Sequence, residues 1–419
     1  MVQINKRIDV DYLARAEGET AIRVELGDQP ALELKIFEPP RFFEGFLVGR
    51  KFDEVGDIVS RICGICPVSH MTTAIQAIEK AMGIKVSPQT KILRNLMCTS
   101  QIAASHLIHL YMLVMPDYYG KGSVVALLPD FQKEVERMMK MKEVLNSITG
   151  TIGGRALHPV TFMPGGFTNI PRQSEMSALL ERLKDIKDDA REVVLDVSRF
   201  KIPEFEFQTE YVALDKESEY AVDGERIISS AGMDVSVDDY YEHFKESEVE
   251  YAFAKRSNII GRGYFMVGAL ARMNLKFDKL QPETKKLAKE IGFNTPKHNP
   301  YLNSLSQSLE VYDFIVHSIN VLESNAFEHE DYSVKIKAGE GGSMTEAPRG
   351  LLYHHYSIDA KGLVTKANIV TPTSHNFENI EESLKKLVKE NMERPRDELR
   401  LMTEELVRAY DPCFSCSVH

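Results

Sequence analysis

Two cysteine pairs of identical spacing constrain this chain more than any other feature: Arg61-Ile62-Cys63-Gly64-Ile65-Cys66 near its start and Cys413-Phe414-Ser415-Cys416 near its end. Two intervening residues let one short backbone turn aim both thiols at a single metal, and four thiols together make an S4 site. Taken alone, this spacing most often means structural zinc. Zinc ribbons, however, bring their pairs together over ~15 to 20 residues. Here almost the whole chain lies between the pairs, so a site that uses both must clamp the two ends around a large core. That arrangement suits a buried cofactor assembled at the centre. Soft thiolates select late transition metals, and their further lone pairs can bridge a second ion, so four of them can hold a bimetallic unit.

Composition narrows the alternatives. Five cysteines in 419 residues are too few for a disulfide scaffold and favour metal or redox use. Lys plus Arg is 51 against 62 Asp plus Glu, a net charge of −11 with no basic block, which argues against a nucleic-acid partner. The segment MVQINKRIDVDYLARAEGE has neither an apolar signal core nor paired arginines, and no window reaches ~18 uninterrupted apolar residues. The expectation is a soluble, cytoplasmic protein with no direct membrane insertion.

Apolar periodicity gives a mainly helical picture. Residues 20–37 alternate apolar and polar side chains on both sides of Gly27-Asp28, the pattern of two half-buried strands and a turn. From Pro88 to Met115, Ile92, Leu96, Ala103, Leu107 and Leu110 recur at helical intervals, as in a long core helix. Further helical patterns cover 129–148, 174–200, 238–255, 303–326, 376–393 and 395–409, and residues 350–371 read as two strands around Asp359-Ala360-Lys361-Gly362. The class is therefore mainly α with small β-sheets (α+β). No repeat or linker divides it, so a single composite domain over 1–419 is expected. It would comprise a β-rich part over 1–60 with the first cysteine motif following, a helical bundle core over 88–330, and a part over 340–419 with a β-hairpin, helices and the second cysteine motif.

The segments RICGICPVSH (Arg61 to His70) and DPCFSCSVH (Asp411 to His419) resemble the two end motifs of [NiFe] hydrogenase large subunits. The resemblance extends to Arg15-Ala16-Glu17-Gly18, Arg41-Phe42-Phe43-Glu44, Gly153-Gly154-Arg155-Ala156-Leu157-His158-Pro159 and Glu346-Ala347-Pro348-Arg349-Gly350, so it spans the chain. It implies the large-subunit fold, whose long central helix bundle is shared with the quinone-site subunit of complex I. It also implies a Ni-Fe(CN)2(CO) centre on which Cys63 and Cys413 are terminal nickel ligands and Cys66 and Cys416 bridge to iron.

By the same resemblance, Arg349 stands over the open metal position, where a fixed, non-titrating cation can polarise H2. Asp117 is the carboxylate that orients this arginine, with Asp411 close by, and Pro372 and Thr373 supply contacts to the cyanide ligands. His70 hydrogen-bonds the bridging thiolate. Glu17 takes up the proton from Cys413, a task that suits a glutamate whose pKa is raised by burial. Glu44, the carbonyl of Ile369 and His419 are implied as ligands of a magnesium ion, although histidine is an unusual partner for so hard a cation. His106 and His109 on the long helix read as core residues rather than ligands.

No cysteine is left to hold a cluster, since Cys98 stands alone, so the electrons of H2 need an obligate iron-sulfur small subunit. His158 and its segment match the region that faces this subunit. Iron-sulfur clusters and flavin are expected only in partner subunits. The ending SCSVH resembles the cytoplasmic bidirectional group, which passes electrons to NAD(P), ferredoxin or both through flavin-containing partners. Maturation by a nickel chaperone and by a protease that cuts after His419 belongs to the same resemblance. A heterodisulfide-reductase or deazaflavin-linked module stands as the alternative, and a zinc-clamped or quinone-module subunit without hydrogenase activity as the rival class.

Overall fold

In a computed structural model, residues 7–27, 30–217, 219–220, 222–331 and 333–419 are described. The alternating N-terminal residues form a three-stranded antiparallel sheet, β1 (Arg7–Val10), β2 (Thr20–Glu25) and β3 (Ala31–Ile36), with β2 in the middle. The expected strand pair is β2 and β3, joined at Gly27, and Asp28 lies outside the described residues. One face of this sheet, with Val10, Ile22, Leu34 and Ile36, is buried against the C-terminal helices.

The first cysteine motif is the turn before α1 (Pro67–Met82), with Cys66 at the helix N-cap. Pro67 follows at the first helical position, where its missing N–H and preset φ fit a helix start. The long core helix is α2 (Pro88–Ile108), capped by Ser87, whose hydroxyl accepts from Thr90 N–H at 2.9 Å. It does not run on regularly to Met115: His109–Val114 is a π-helical segment, which turns the following residues toward the C-terminus. Against α2 pack α3 (Leu128–Gly153) and α6 (Asn303–Ser324), with α4 (Gln173–Asp185) and α5 (Lys187–Ser198) packed in turn on α3 and α6, and their apolar stripes make the largest core. The single helix read over 174–200 is α4 and α5, broken at Ile186.

The helix expected over 238–255 is a correction. Only a 3-10 turn, Val237–Asp239, and one turn of α-helix, Tyr240–His243, are helical, and Phe244–Val249 and Ala252–Ile259 pair as an antiparallel ribbon. A bulge between Ala252 and Arg256 leaves the buried Ala254 and Ile259 at an odd separation, so no clean twofold alternation announces the ribbon. Near the C-terminus the sheet has three strands rather than two, β4 (Gly339–Ala347), β5 (Gly350–Ile358) and β6 (Val364–Val370), with β5 central. The unforeseen strand, Gly-Glu-Gly-Gly-Ser-Met-Thr-Glu-Ala, lies on α1 so closely that a Cβ on Gly341 would come 2.6 Å from the Ala81 nitrogen. The chain finishes with α7 (Pro372–Glu390), α8 (Arg396–Ala409) and a short turn of helix, Phe414–Ser417.

Candidate metal centre

The four cysteines do meet. Cys63 Sγ is 3.8 Å from Cys413 Sγ and Cys66 Sγ is 3.9 Å from Cys416 Sγ, and the sulfurs of Cys413 and Cys416 touch across a Cα–Cα distance of 5.4 Å. All four side chains are buried. Cys413 caps the last helical turn as Cys66 caps α1, so both pairs sit where a loop turns into a helix. The hydrogen bond within the first pair and the Arg349 guanidinium pull the Cys63 thiol down, whereas the same hydrogen bond and burial push Cys66 up. Keeping both as thiolates requires a nearby cation, and a metal ion supplies one.

Arg349 occupies the two-residue tip of the β4–β5 hairpin. Burial works against its charge, but Asp411 and the sulfurs outweigh that effect. Its Nε donates to Asp411 Oδ1 at 3.1 Å and its Nη2 lies at an ion-pair distance of 3.1 Å from the same oxygen, while Nη1 is buried without a partner. Asp411 stands in the left-handed region, φ 52°, and its Oδ2 accepts from Gln307 Nε2 at 2.9 Å. Gln307 Oε1 in turn meets His109 Nδ1 at 2.6 Å, so His109 is buried in the shell behind Asp411. Asp117 is not in this group: it pairs with Arg408 at 2.7 and 2.9 Å and with Arg15. The carboxylate paired with Arg349 is Asp411 and not the expected Asp117, whose partner is Arg408 on α8.

A small cavity is lined by Cys66, His70, Arg349, Pro372, Cys413 and Cys416. Pro372 begins α7, and Thr373 Oγ1 accepts from Cys413 N–H at 2.8 Å. Burial pushes the His70 imidazole down to about 3, so it is neutral, and its Nδ1 faces His354 at 3.2 Å. On the opposite side, Cys413 Sγ donates to Glu17 Oε2 at 2.8 Å, and Phe414 N–H donates to the Glu17 carbonyl. Burial raises the Glu17 carboxyl above the usual range against the pull of Arg349. Gly18, at φ +91°, is needed here, since a Cβ would lie 2.5 Å from Ser415 N.

Glu44, Ile369 and His419 also come together. Glu44 Oε1 is 3.7 Å from His419 Nε2 and accepts from Ile369 N–H at 2.8 Å. The carbonyl of a strand residue projects to the same side as its N–H, so Ile369 O faces the same space. Burial favours a neutral Glu44, but His419 and the Ile369 N–H outweigh it and hold the carboxyl below its usual range. Glu246, whose Oε2 accepts from Asn368 Nδ2 at 3.1 Å, adds a second carboxylate that no motif announced. Cys98, pushed up to about 12 by burial, is an inert core thiol.

Four buried sulfurs, three of them lining one cavity with an arginine that keeps an unpartnered guanidinium N–H, fit a thiolate-held nickel-iron unit with small anionic ligands, and so define a metalloenzyme chain clamped by both of its ends. A family model described as nickel-dependent hydrogenase matches residues 41–137 and 194–419. The alpha chain of sulfhydrogenase 1 from Pyrococcus furiosus is 34% identical over 98% of this chain and 97% of its own. A chain of the F420-non-reducing hydrogenase from Methanothermobacter marburgensis is 29% identical, covering 99% and 94%. Among solved structures, an NAD+-reducing [NiFe]-hydrogenase in the H2-reduced state superposes with a TM-score of 0.88 at 25% identity, covering 99% of both chains. The Ni-Fe-Se hydrogenase of Desulfomicrobium baculatum shares the fold, with a TM-score of 0.77 at 23% identity, over 99% of this chain and 100% of its own. The chain belongs to the nickel-dependent hydrogenase family and is the catalytic large subunit of a [NiFe] hydrogenase, an H2-oxidising oxidoreductase that works with a small subunit. No helix among the described residues is long and apolar enough to cross a membrane.

Proposed function

We propose that Cys63, Cys66, Cys413 and Cys416 hold the metals, the second of each pair bridging, and that the enzyme cleaves H2 reversibly and heterolytically. The observation that carries this reading is the convergence of the four buried sulfurs: Cys66, Cys413 and Cys416 line one cavity with Arg349, and Cys63 and Glu17 each meet Cys413. When bound, a nickel-iron unit with carbonyl and cyanide ligands supplies the Lewis-acid and redox chemistry. Arg349, held by Asp411, keeps a positive charge and one free N–H on the cavity and polarises H2 there. Glu17 takes the proton from Cys413 Sγ, 2.8 Å away, with its raised pKa bringing both protonation states within reach. Ser415, bonded to Glu38 at 2.6 Å, stands next on the way out. Pro372 and Thr373, at the start of α7 beside the cavity and Cys413, would contact the cyanide ligands, and Glu44, Ile369 O and His419 would hold a magnesium ion.

Electrons leave through an iron-sulfur small subunit, for which the exposed Leu157 and Val160 beside His158 offer apolar contact. NAD(P), with or without ferredoxin, is the proposed carrier through flavin-containing partners in the cytoplasm. The likeness to the NAD+-reducing enzyme supports it, and the F420-non-reducing relatives keep a different carrier as the second reading. An infrared spectrum of the purified complex tests the centre: one carbonyl and two cyanide bands are expected, and their absence with zinc at the cysteines would refute it. Reduction of NAD(P) by H2 in the same preparation tests the carrier.

A further inference from the structure

Three buried rings lead away from the cavity and have no part in the roles above. His70 Nδ1 lies 3.2 Å from His354 Nε2, and His354 Nδ1 lies 2.7 Å from the Tyr356 hydroxyl. None of the three is more than 1% exposed. His354 and Tyr356 alternate on β5 and so share the face that packs on α1, the helix that carries His70. A hydrogen bond between two ring nitrogens joins one that carries a proton to one that does not, so the contact between His70 and His354 has a direction.

The direction of the chain is set from its far end. A phenol has a single O–H, and Tyr356 makes no other hydrogen bond among the described residues, so the O–H donates to His354 Nδ1 rather than remain buried and unmatched. With Nδ1 accepting, His354 carries its proton on Nε2 and donates to His70 Nδ1. His70 is then the Nε2–H tautomer, and Nε2 is the nitrogen left for the cavity it lines with Cys66 and Cys416. The reversed chain would bury an unmatched phenol proton and turn a lone pair of His70 toward the sulfurs. We infer that Tyr356 and His354 are positioning residues that fix the tautomer of His70, so that its Nε2–H is offered as a donor on the sulfur side of the cavity. The inference rests on the proposed assignment of Cys66 and Cys416 as bridging thiolates. A donor to a bridging thiolate draws electron density from the metals and sets their potential.

The test is the infrared spectrum of the complex purified with its small subunit, read at the carbonyl and cyanide bands. Tyr356→Phe keeps the ring and removes the phenol, so the chain is free to reverse. The donor to the thiolate is then lost, the iron becomes more electron-rich, and the bands should move to lower frequency than the parent's. His354→Gln substitutes an amide N–H that reaches His70 Nδ1 without help from Tyr356. Its bands should stay near the parent positions, and adding Tyr356→Phe to it should move them no further. Bands unchanged by Tyr356→Phe, or shifted by it equally in the His354→Gln background, would overturn the tautomer lock alone. If Tyr356→Phe yields no loaded enzyme, His354→Gln decides: parent-like bands support the lock and displaced ones overturn it. A parent without diatomic bands would overturn the thiolate assignment and the lock together.

Discussion

Two buried arginines, a helix apart, are treated in opposite ways. All five N–H donors of Arg272 are taken: Glu310 accepts two at 2.6 Å, Glu346 one at 2.9 Å, and the carbonyls of Ala347 and Pro348 the rest at 3.2 and 3.3 Å. Arg349, the next residue along that hairpin tip, has one carboxylate and an Nη1 with no partner. A buried donor left unmatched is expensive, and of the arginines that keep one Arg349 is the one that lines the sulfur cavity, where a ligand would complete the set. The saturated arginine holds the turn on which the unsaturated one stands. Position and chemistry are thus divided between neighbours.

The largest effect should come from breaking the saturated partner. Arg272→Met strands Glu310 and Glu346 as buried carboxylates, and loss of one member of such a pair costs about 3–5 kcal/mol. The protein should accumulate poorly, and what remains should show a much lower thermal midpoint. A midpoint within a degree or two of the parent would mean that Arg272 is not the scaffold of the hairpin tip.

Glu17→Gln should leave stability and metal content near normal while slowing turnover and H/D exchange about 10²–10⁴-fold, the range for losing a positioned acid-base group. Near-normal exchange removes Glu17 from the proton route. Arg349→Lys keeps a charge but loses the planar fork. It should give a loaded centre with H2 cleavage down about 10²–10³-fold and a far smaller change in thermal midpoint than Arg272→Met. If the two arginine variants lose stability equally, the contrast between scaffold and site fails.

What the sequence reveals of this arrangement follows the range over which each signal acts. The cysteine pairs, Glu17 and Arg349 are carried by compact motifs, and Gly18 next to Glu17 is there because Ser415 N approaches so closely. Asp117 and Asp411 look equivalent as carboxylates in turns, and only the packed structure separates their partners, Arg408 for the first and Arg349 for the second. Gln307, His354 and Tyr356 belong to no motif, because their roles exist only once α6 and β5 are packed against the site. The strand β4 escaped notice because its glycines answer to the backbone of α1, which suppresses the apolar alternation that announces a strand. The long helices of the bundle, whose stripes face one core, were legible nearly to their ends.

A second contrast, read in pH dependence rather than in the size of a loss, lies within α6. Burial favours the neutral form of Glu310, yet Arg272 outweighs it and holds that carboxyl far below its usual range. Asp313, three residues on, has the Gln281 N–H at 2.8 Å but no ion pair of that kind, and burial pushes it up to about 7 from 3.8. Below about pH 4 Asp313 is protonated whether the chain is folded or not. As pH rises from there, the unfolded chain releases its proton first, so the folded state loses ground until about pH 7, above which the penalty is constant. The limiting slope for one proton is about 1.4 kcal/mol per pH unit. Asp313→Asn keeps an acceptor for Gln281 and removes the titration, so its thermal midpoint relative to the parent should climb between pH 4 and 7 and level off beyond. The same difference at every pH would mean that Asp313 stays charged, and that the two acids on α6 differ less than their partners imply.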